Sequence, residues 1–573
     1  MLYHDFLKDK LIDSLRLNFS DKFSSDIIDK SELTIEIPNN KKFGDVSTNV
    51  AMVFSKKLGT TPNNLAEKVI NELRKMEVIE KIEQVGPGFI NIFFKINFWH
   101  DQLKVLSKKM ESYNYKIKKK KICLEFVSAN PTGLMHIGHA RGAVLGDTIS
   151  SVLEEVGHDV VREYYINDAG EQIKVLCNTI NHHLNYDNEP INDLKNIYPG
   201  EYLKKVSKKM SNLLQKGEKK QLKNESEVVD VVMSDIKNDL REINVGHNYF
   251  ISEKKISNEK KVCILKNKLE KQRLSYYGYQ DKPKSVNNDN WKKKKQLLFK
   301  SKNLGDETDR ALLKPNGELT YFMSDIIYHQ NKIDRNFDTL INIWGVDHSG
   351  YVKRLKLALE ALNPNKKYNF EIKLTSLVNL IEGEKKKKMS KREGNYITLR
   401  DVVKEVGADV IRFMMISRNA DKKIDFDFDL VLSKSKDNPV FYVQYAYARC
   451  MSLVKIFNKK FDCNFKEIDK NDFDLSHLIL DEEKALIKKL CNFFNVIMSS
   501  AKYYEPHRVT NYLYEIAKDF HAYWGLGKVD TSKKIIMDEN EALSRSRLFL
   551  IYAISQIIKK SMDILKINCP ESM

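Results

Sequence analysis

The stretch EFVSANPTGLMHIGHARGAVLGDTIS occupies residues 125–150, and its reading decides the fold. It begins inside ICLEFVS (122–128), an apolar run of the length of a buried strand. Helical text follows from about Gly138 to Val156, with small residues at Ala140, Gly142, Ala143 and Gly146, and Gly157 closes it. DVVREYYIND (159–168) then reads as another strand. A β-α-β order favours a parallel sheet in a doubly wound α/β domain. Ligands of such sheets bind outside the carboxyl ends of the strands, and EFVSANPTG is such an end. The helix start beyond it suits a phosphate, because its N–H groups and dipole face outward. His136 and His139 flank that start and can donate hydrogen bonds to phosphate oxygens. Gly138 would let a nucleotide approach the backbone closely. On its own, HIGH is a weak signal that two ordinary turn histidines explain better, and it is the strand–loop–helix context that raises it.

Outward from this core, TLINIWGVD (339–347) is a further strand ending in a turn. Residues 185–300 are polar and lysine-rich, and read as a mostly helical insertion. Upstream, ELTIEIP (32–38) and GFINIFF (88–94) are strand-like and NLAEKVINEL (64–73) has helical spacing after Pro62. This predicts a small α/β domain over 1–114, before the basic linker YKIKKKK (115–121). The doubly wound, Rossmann-like domain is expected over 115–436. After about 436 only helical periodicity remains, in VQYAYARCMSLVKIF, EEKALIKKLCNFFNVIMSSA and SRLFLIYAISQIIKKSMDIL, which predicts an all-helical domain over 437–573.

The 573 residues are 42% hydrophobic and 30% charged, a globular balance, but the net charge is +18. Lysine runs recur at 116–122, 291–296 and 384–392. Such a balance points to a polyanionic partner, nucleic acid above all, with solvated lysine faces as the alternative. Seven cysteines are scattered without C-x-x-C spacing, which argues against a zinc ribbon and for reduced thiols. MLYHDFLKDK lacks the apolar segment of a signal peptide, and no apolar run reaches membrane-spanning length. A cytoplasmic protein is expected.

KKKKMSKREGN (385–395) joins a basic run to Ser390, Arg392 and Gly394, and such a cationic loop suits a polyphosphate. With HIGH at 136–139 and KMSKR at 388–392, the chain resembles the class I aminoacyl-tRNA synthetases. Longer blocks narrow this. EFVSANPTGLMHIGHARGAVLGDTIS, REYYINDAGEQI, TYFMSDIIYH, INIWGVDHSGYVKR, MSKREGNYITLRDVV and NPVFYVQYAYAR are similar to arginyl-tRNA synthetases, in that family's order. The likeness runs from FGDVSTNVAMVFSKKLG (43–59) to CPESM (569–573), and weakens over 185–300.

The resemblance implies that arginine is activated with ATP and then transferred to the terminal adenosine of tRNA(Arg), releasing AMP and pyrophosphate. It assigns His136, His139, Lys388 and Lys391 to catalysis, and Gly138, Asp347, His348, Met389 and Ser390 with the two histidines to ATP. Lys391 is present although many members lack it and carry a lysine where this chain has Gly133. Glu125, Tyr321 and Asp325 match the contacts to the guanidinium, a planar fork that carboxylates recognise. Ser128 and Asn130 match contacts to the amino acid's backbone groups. For Glu125 alone, a strand-end salt bridge is the competing reading. Asn49 is the expected contact to the tRNA elbow; Tyr442, Tyr445, Trp524 and Met573 are the expected anticodon-side contacts, with core packing as their alternative. ATP with Mg2+ is the expected co-substrate, no protein-bound metal is expected, and a monomer is expected. A different class I synthetase and a silent RNA-binding paralogue are the rivals. The first is opposed by Glu125 and Asp325, the second by the intact signature histidines and lysines.

Overall fold

The computed structural model describes residues 1–22, 28, 32–38, 40–185, 197–198, 201–215, 225–280, 294–383, 385–387 and 397–573. The chain opens with a helix, Tyr3–Asn18, and an antiparallel sheet of β1 (Ile35–Glu36), β2 (Val46–Thr48), β3 (Ile79–Val85) and β4 (Phe89–Phe94), in the order β1-β2-β4-β3. Of the strand-like run 32–38 only two residues pair. The helix Pro62–Leu73 starts where Thr61 accepts a hydrogen bond from the Asn64 N–H (3.3 Å) and Pro62 fixes the first turn.

The central layer is assembled from β5 (Lys121–Glu125), β6 (Asp159–Ile166) and β7 (Tyr249–Ser252). A small antiparallel sheet of β8 (Ser275–Tyr279), β9 (Lys295–Phe299) and β10 (Arg310–Ala311) follows, before β11 (Thr339–Gly345) and β12 (Asn369–Thr375) rejoin the centre. The main sheet runs β12-β11-β5-β6-β7, parallel throughout. Its order reverses between β5 and β11, so the doubly wound arrangement read from the sequence has its crevice at those two carboxyl ends. The pleat explains how one sheet serves two cores. Ile122, Leu124, Ile341 and Ile343 join the core under the helix Ile137–Glu155. Cys123 and Leu340, on alternate positions, face the helices Tyr321–Asp334 and Ser349–Leu362.

Two readings need correction. The 185–300 segment, read as a mostly helical insertion, also builds sheet: beside the helices Glu201–Gln215, Glu225–Glu242 and Glu259–Lys271 it supplies β7, the edge of the main sheet, and most of the β8–β10 sheet. The run 122–128 does not stay extended to its end. β5 stops at Glu125, and Val127 and Ser128 take φ of 71° and 40°. A β-branched residue in the left-handed region is strained, and such strain clusters where backbone must be aimed.

A third sheet, β14-β13-β15, uses β13 (Val378–Glu382), β14 (Lys385–Lys387) and β15 (Ile424–Asp427). Beyond Asp427 the described residues form helices, of which Pro439–Phe461, His507–Val529 and Glu541–Ile564 are the longest. Asn438 caps the first by accepting from the Val440 and Phe441 N–H groups, with Pro439 at its first turn. The N-terminal unit packs on these helices: Tyr3 donates to Asn492 (2.9 Å), and Tyr113 stacks on Phe494 at 3.9 Å.

Candidate active site

Gly146 brings the helix Ile137–Glu155 against β5. A methyl group there would lie 2.2 Å from the Phe126 ring, so only glycine permits this approach. His136 is the N-cap of that helix, and its ring stacks on His139 with centroids 3.8 Å apart. The His136 N–H donates to His139 Nδ1 (3.3 Å), which puts the proton of a neutral His139 ring on Nε2. Gly138 has a reason besides ligand access: a Cβ there would press on the His136 ring at 3.0 Å.

Thr398 bridges to His136, and the Leu399 N–H donates to the Met135 carbonyl (2.8 Å). On the other side β14 ends at Lys387, paired with β13. The chain thus returns beside HIGH at Thr398, downstream of the KMSKR signature in sequence. Lys388, Met389, Ser390 and Lys391 themselves lie outside the described residues.

At the end of β5 stands Glu125, buried. Its Oε2 accepts from Lys332 Nζ at 2.6 Å and its Oε1 from the Ser128 hydroxyl at 3.0 Å. Lys332 is itself fully buried, donates also to Asn342 Oδ1 (3.2 Å) and sits 4.1 Å over the Tyr328 ring. Burial alone would strip its proton; Glu125 and its neighbours outweigh that and hold it charged. Asn342 passes the network on to His329 (2.7 Å), whose other nitrogen meets the Asp325 carbonyl (2.8 Å). Burial and Lys332 keep His329 neutral, so it donates from Nδ1 to that carbonyl and accepts from Asn342 at Nε2. The salt bridge considered for Glu125 thus exists, and it lies inside the crevice.

Asp325 is placed one helical turn after Tyr321. Its Oδ2 accepts from the Tyr351 hydroxyl at 2.6 Å. Burial, with Glu125 and Glu253 as like-charged neighbours, pushes its carboxyl up to about 7 against the help of Tyr351 and Lys332. Glu253, at the end of β7, is buried and accepts from Tyr165 and Ser324. The crevice thus holds three carboxyl groups and one lysine, and burial and like-charged neighbours raise Asp325 and Glu253, so an incoming cation favours their ionised forms.

The structure brings Glu125, Ser128 and Asp325 together. Ser128 also accepts from the Tyr165 N–H (3.1 Å), which ties the strained turn to β6. Tyr321 is 73% exposed at the rim, and Asn130 is exposed in the loop beyond β5. Asp347 and His348 lie just past β11, largely exposed and 3.4 Å from each other. Lys332, Tyr351, Glu253 and Tyr165 were not among the expected site residues. Helical spacing carries a signal for the first, because Tyr321, Asp325, Tyr328 and Lys332 recur on one face.

Distant from the crevice, both amide atoms of Asn49 are engaged by Thr34, at 2.9 and 3.1 Å. Asn49 still lines a cavity of 380 Å³ with Met52 and Phe89. Tyr442 and Tyr445 are half-buried, and both rings face His521 at 4.5 and 5.7 Å. Trp524 lies between Arg449 (3.7 Å) and Lys528 (4.2 Å), and Met573 is exposed.

Three family models match the chain: the arginyl tRNA synthetase N terminal domain over 6–94, the class I (R) tRNA synthetase catalytic domain over 102–429, and the DALR anticodon binding domain over 443–573. The arginine–tRNA ligase of Wolbachia sp. subsp. Brugia malayi is 40% identical, covering 98% of this chain and 99% of its own. That of Pelagibacter ubique is 41% identical over 94% of each. The Thermus thermophilus arginyl-tRNA synthetase structure superimposes with a TM-score of 0.70 over the full length of both chains, at 18% identity, and so speaks for the fold. Catalytic and flanking domains in one order, with relatives of this identity along nearly the whole length, lead to one conclusion: the chain belongs to the arginyl-tRNA synthetases.

Proposed function

We propose that this chain activates arginine with ATP to arginyl-adenylate and transfers arginine to the terminal adenosine of tRNA(Arg), releasing AMP and pyrophosphate. The observation that carries the reading is the acidic crevice at the sheet's reversal point, lined by Glu125 and Asp325, with the helix of the paired histidines next after β5 in the chain. The guanidinium enters between the two carboxylates, and Tyr321 closes over it from the rim. Ser128 and Asn130 meet the amino acid's own amino and carboxylate groups. The arginine carboxylate is already ionised and attacks the α-phosphate without a general base. Catalysis is then positioning and charge stabilisation. His136 and His139 donate to phosphate oxygens at the helix start, with Gly138, Met389 and Ser390 along the nucleotide. Lys388 and Lys391 neutralise the departing pyrophosphate, and Asp347 and His348 take the adenosine. Mg2+ is held on the triphosphate rather than by a protein cage.

We further assign residues 1–114 to the tRNA elbow through Asn49, 115–436 to catalysis, and 437–573 to the anticodon through Tyr442, Tyr445, Trp524 and Met573. The half-buried rings around His521 combine exposed faces with nearby cations, which suits stacking on splayed bases. The enzyme works as a cytoplasmic monomer. ATP–pyrophosphate exchange with each amino acid, with and without tRNA, tests the reading. Exchange that depends on arginine supports it. Exchange with another amino acid, or tRNA binding without any exchange, overturns it.

A further inference from the structure

The two carboxylates of the crevice are not offered whole. Asp325 Oδ2 is occupied by the Tyr351 hydroxyl at 2.6 Å, and Glu125 Oε2 by Lys332 at 2.6 Å. All three donor directions of Lys332 are spent inside the protein, on Glu125, Asn342 and the Tyr328 ring. Lys332 is fully buried, so it touches no ligand. Tyr351 comes from the helix that follows β11 and packs edge-on to Phe322 and against Trp344. Burial and the neighbouring Asp325 keep its phenol protonated, hence a donor.

We propose that Tyr351 and Lys332 are positioning residues that turn two fork-shaped acceptors into two single-oxygen acceptors, Asp325 Oδ1 and the second lone pair of Glu125 Oε1, whose first accepts from the Ser128 hydroxyl at 3.0 Å. The guanidinium is then divided between two carboxylates instead of being forked onto one. A planar cation with donors on both edges spans such a pair, whereas a compact ammonium does not. This rests on the arginine reading of the crevice.

A second consequence concerns charge. Asp325 faces Glu125 from β5, Glu253 from the end of β7, Tyr165 from β6, Lys332 from its own helix and Tyr351 from the next. Of these, Tyr351 and Lys332 favour its ionised form, and the two glutamates oppose it. Removing the Tyr351 hydroxyl therefore shifts Asp325 toward its neutral form, which binds a cation poorly. The deficit is largest at and below neutral pH and fades as alkali ionises the carboxyl again.

The test is Tyr351→Phe, which keeps the ring and its packing. Arginine-dependent exchange is measured from pH 6.5 to 9, together with thermal stability. A lost hydrogen bond to a charged group is worth about 1.5–3 kcal/mol, so the arginine KM is expected to rise about 10- to 100-fold at pH 7. It should approach the wild-type value by pH 9, with kcat and the ATP KM little changed. A second variant, Lys332→Met, should also raise the arginine KM, and less so when Glu125→Gln is combined with it. An unchanged or lowered arginine KM in Tyr351→Phe overturns the proposal, as does a rise that is the same at every pH. A wild-type enzyme that does not use arginine at all would instead defeat the underlying assignment.

Discussion

Asp325 sets a cost on the fold that Asp325→Asn should remove. The carboxyl rises from an ordinary 3.8 to about 7 in the folded protein. At 1.36 kcal/mol per pH unit this amounts to about 4 kcal/mol against folding once both states are ionised. Asp325 keeps some solvent contact, so screening reduces the figure to about 2 kcal/mol. The sign follows from proton binding. Between pH 4 and 7 the native carboxyl holds its proton while the unfolded one has lost it, so stability falls as pH rises through that window. Asparagine keeps an acceptor for Tyr351 and carries no charge. The variant should therefore melt higher than wild type at pH 8, by about 3 °C for the catalytic unit, and show little gain near pH 4.5. Arginine KM should rise strongly in the same protein, since its charge partner is gone. Scanning fluorimetry at the two pH values, beside exchange kinetics, reads both effects. An Asn variant that melts lower at pH 8, or gains equally at both pH values, would refute the electrostatic account of the crevice.

Three other outcomes are expected. Gly146→Ala drives a methyl group into Phe126, and overpacking of about 1–3 kcal/mol should appear as earlier melting with loss of exchange activity; unchanged stability would show that the helix–strand contact can relax. Lys391→Ala should lower kcat for adenylate formation far more than arginine affinity, because the charge it meets grows toward the transition state; an equal exchange rate would transfer the role to another lysine of 385–388. Tyr442→Ala should raise the tRNA KM by about 5- to more than 100-fold, as stacking on a base is worth about 1–3 kcal/mol, while arginine and ATP constants hold; early melting with loss of every activity would make Tyr442 a packing residue instead.

Much of the main sheet was legible because its strands are continuous apolar runs bounded by turn residues, as in β5 and β11. β7 was hidden: YFIS is short, stands in lysine-rich text, and earns its place only by pairing with β6. The strained turn at Val127 and Ser128 was equally invisible, since nothing in those side chains asks for positive φ; the surroundings impose it. Glu125 and Asp325 could be named from the family's text alone. Their partners could not, because Lys332 and Tyr351 reach the crevice from chain segments whose convergence is a property of the fold. For Asn49 the structure shows an internal bond to Thr34 that sequence gives no hint of.

The pairing of Glu125 with Lys332 also bears on how the chain is born. The two residues are 207 positions apart, and β11, the second neighbour of β5, comes later still. At ribosomal rates of about 5–20 residues per second, β5 waits about 10–40 s between leaving the tunnel and meeting the lysine that neutralises its terminal carboxylate. Over that interval one edge of an apolar strand stands open beside an uncompensated charge. An open strand edge invites mispairing, while a charge at its end discourages it. A carboxylate at the end of β5 is thus a charge of the kind that opposes such mispairing, in addition to what it recognises once folded.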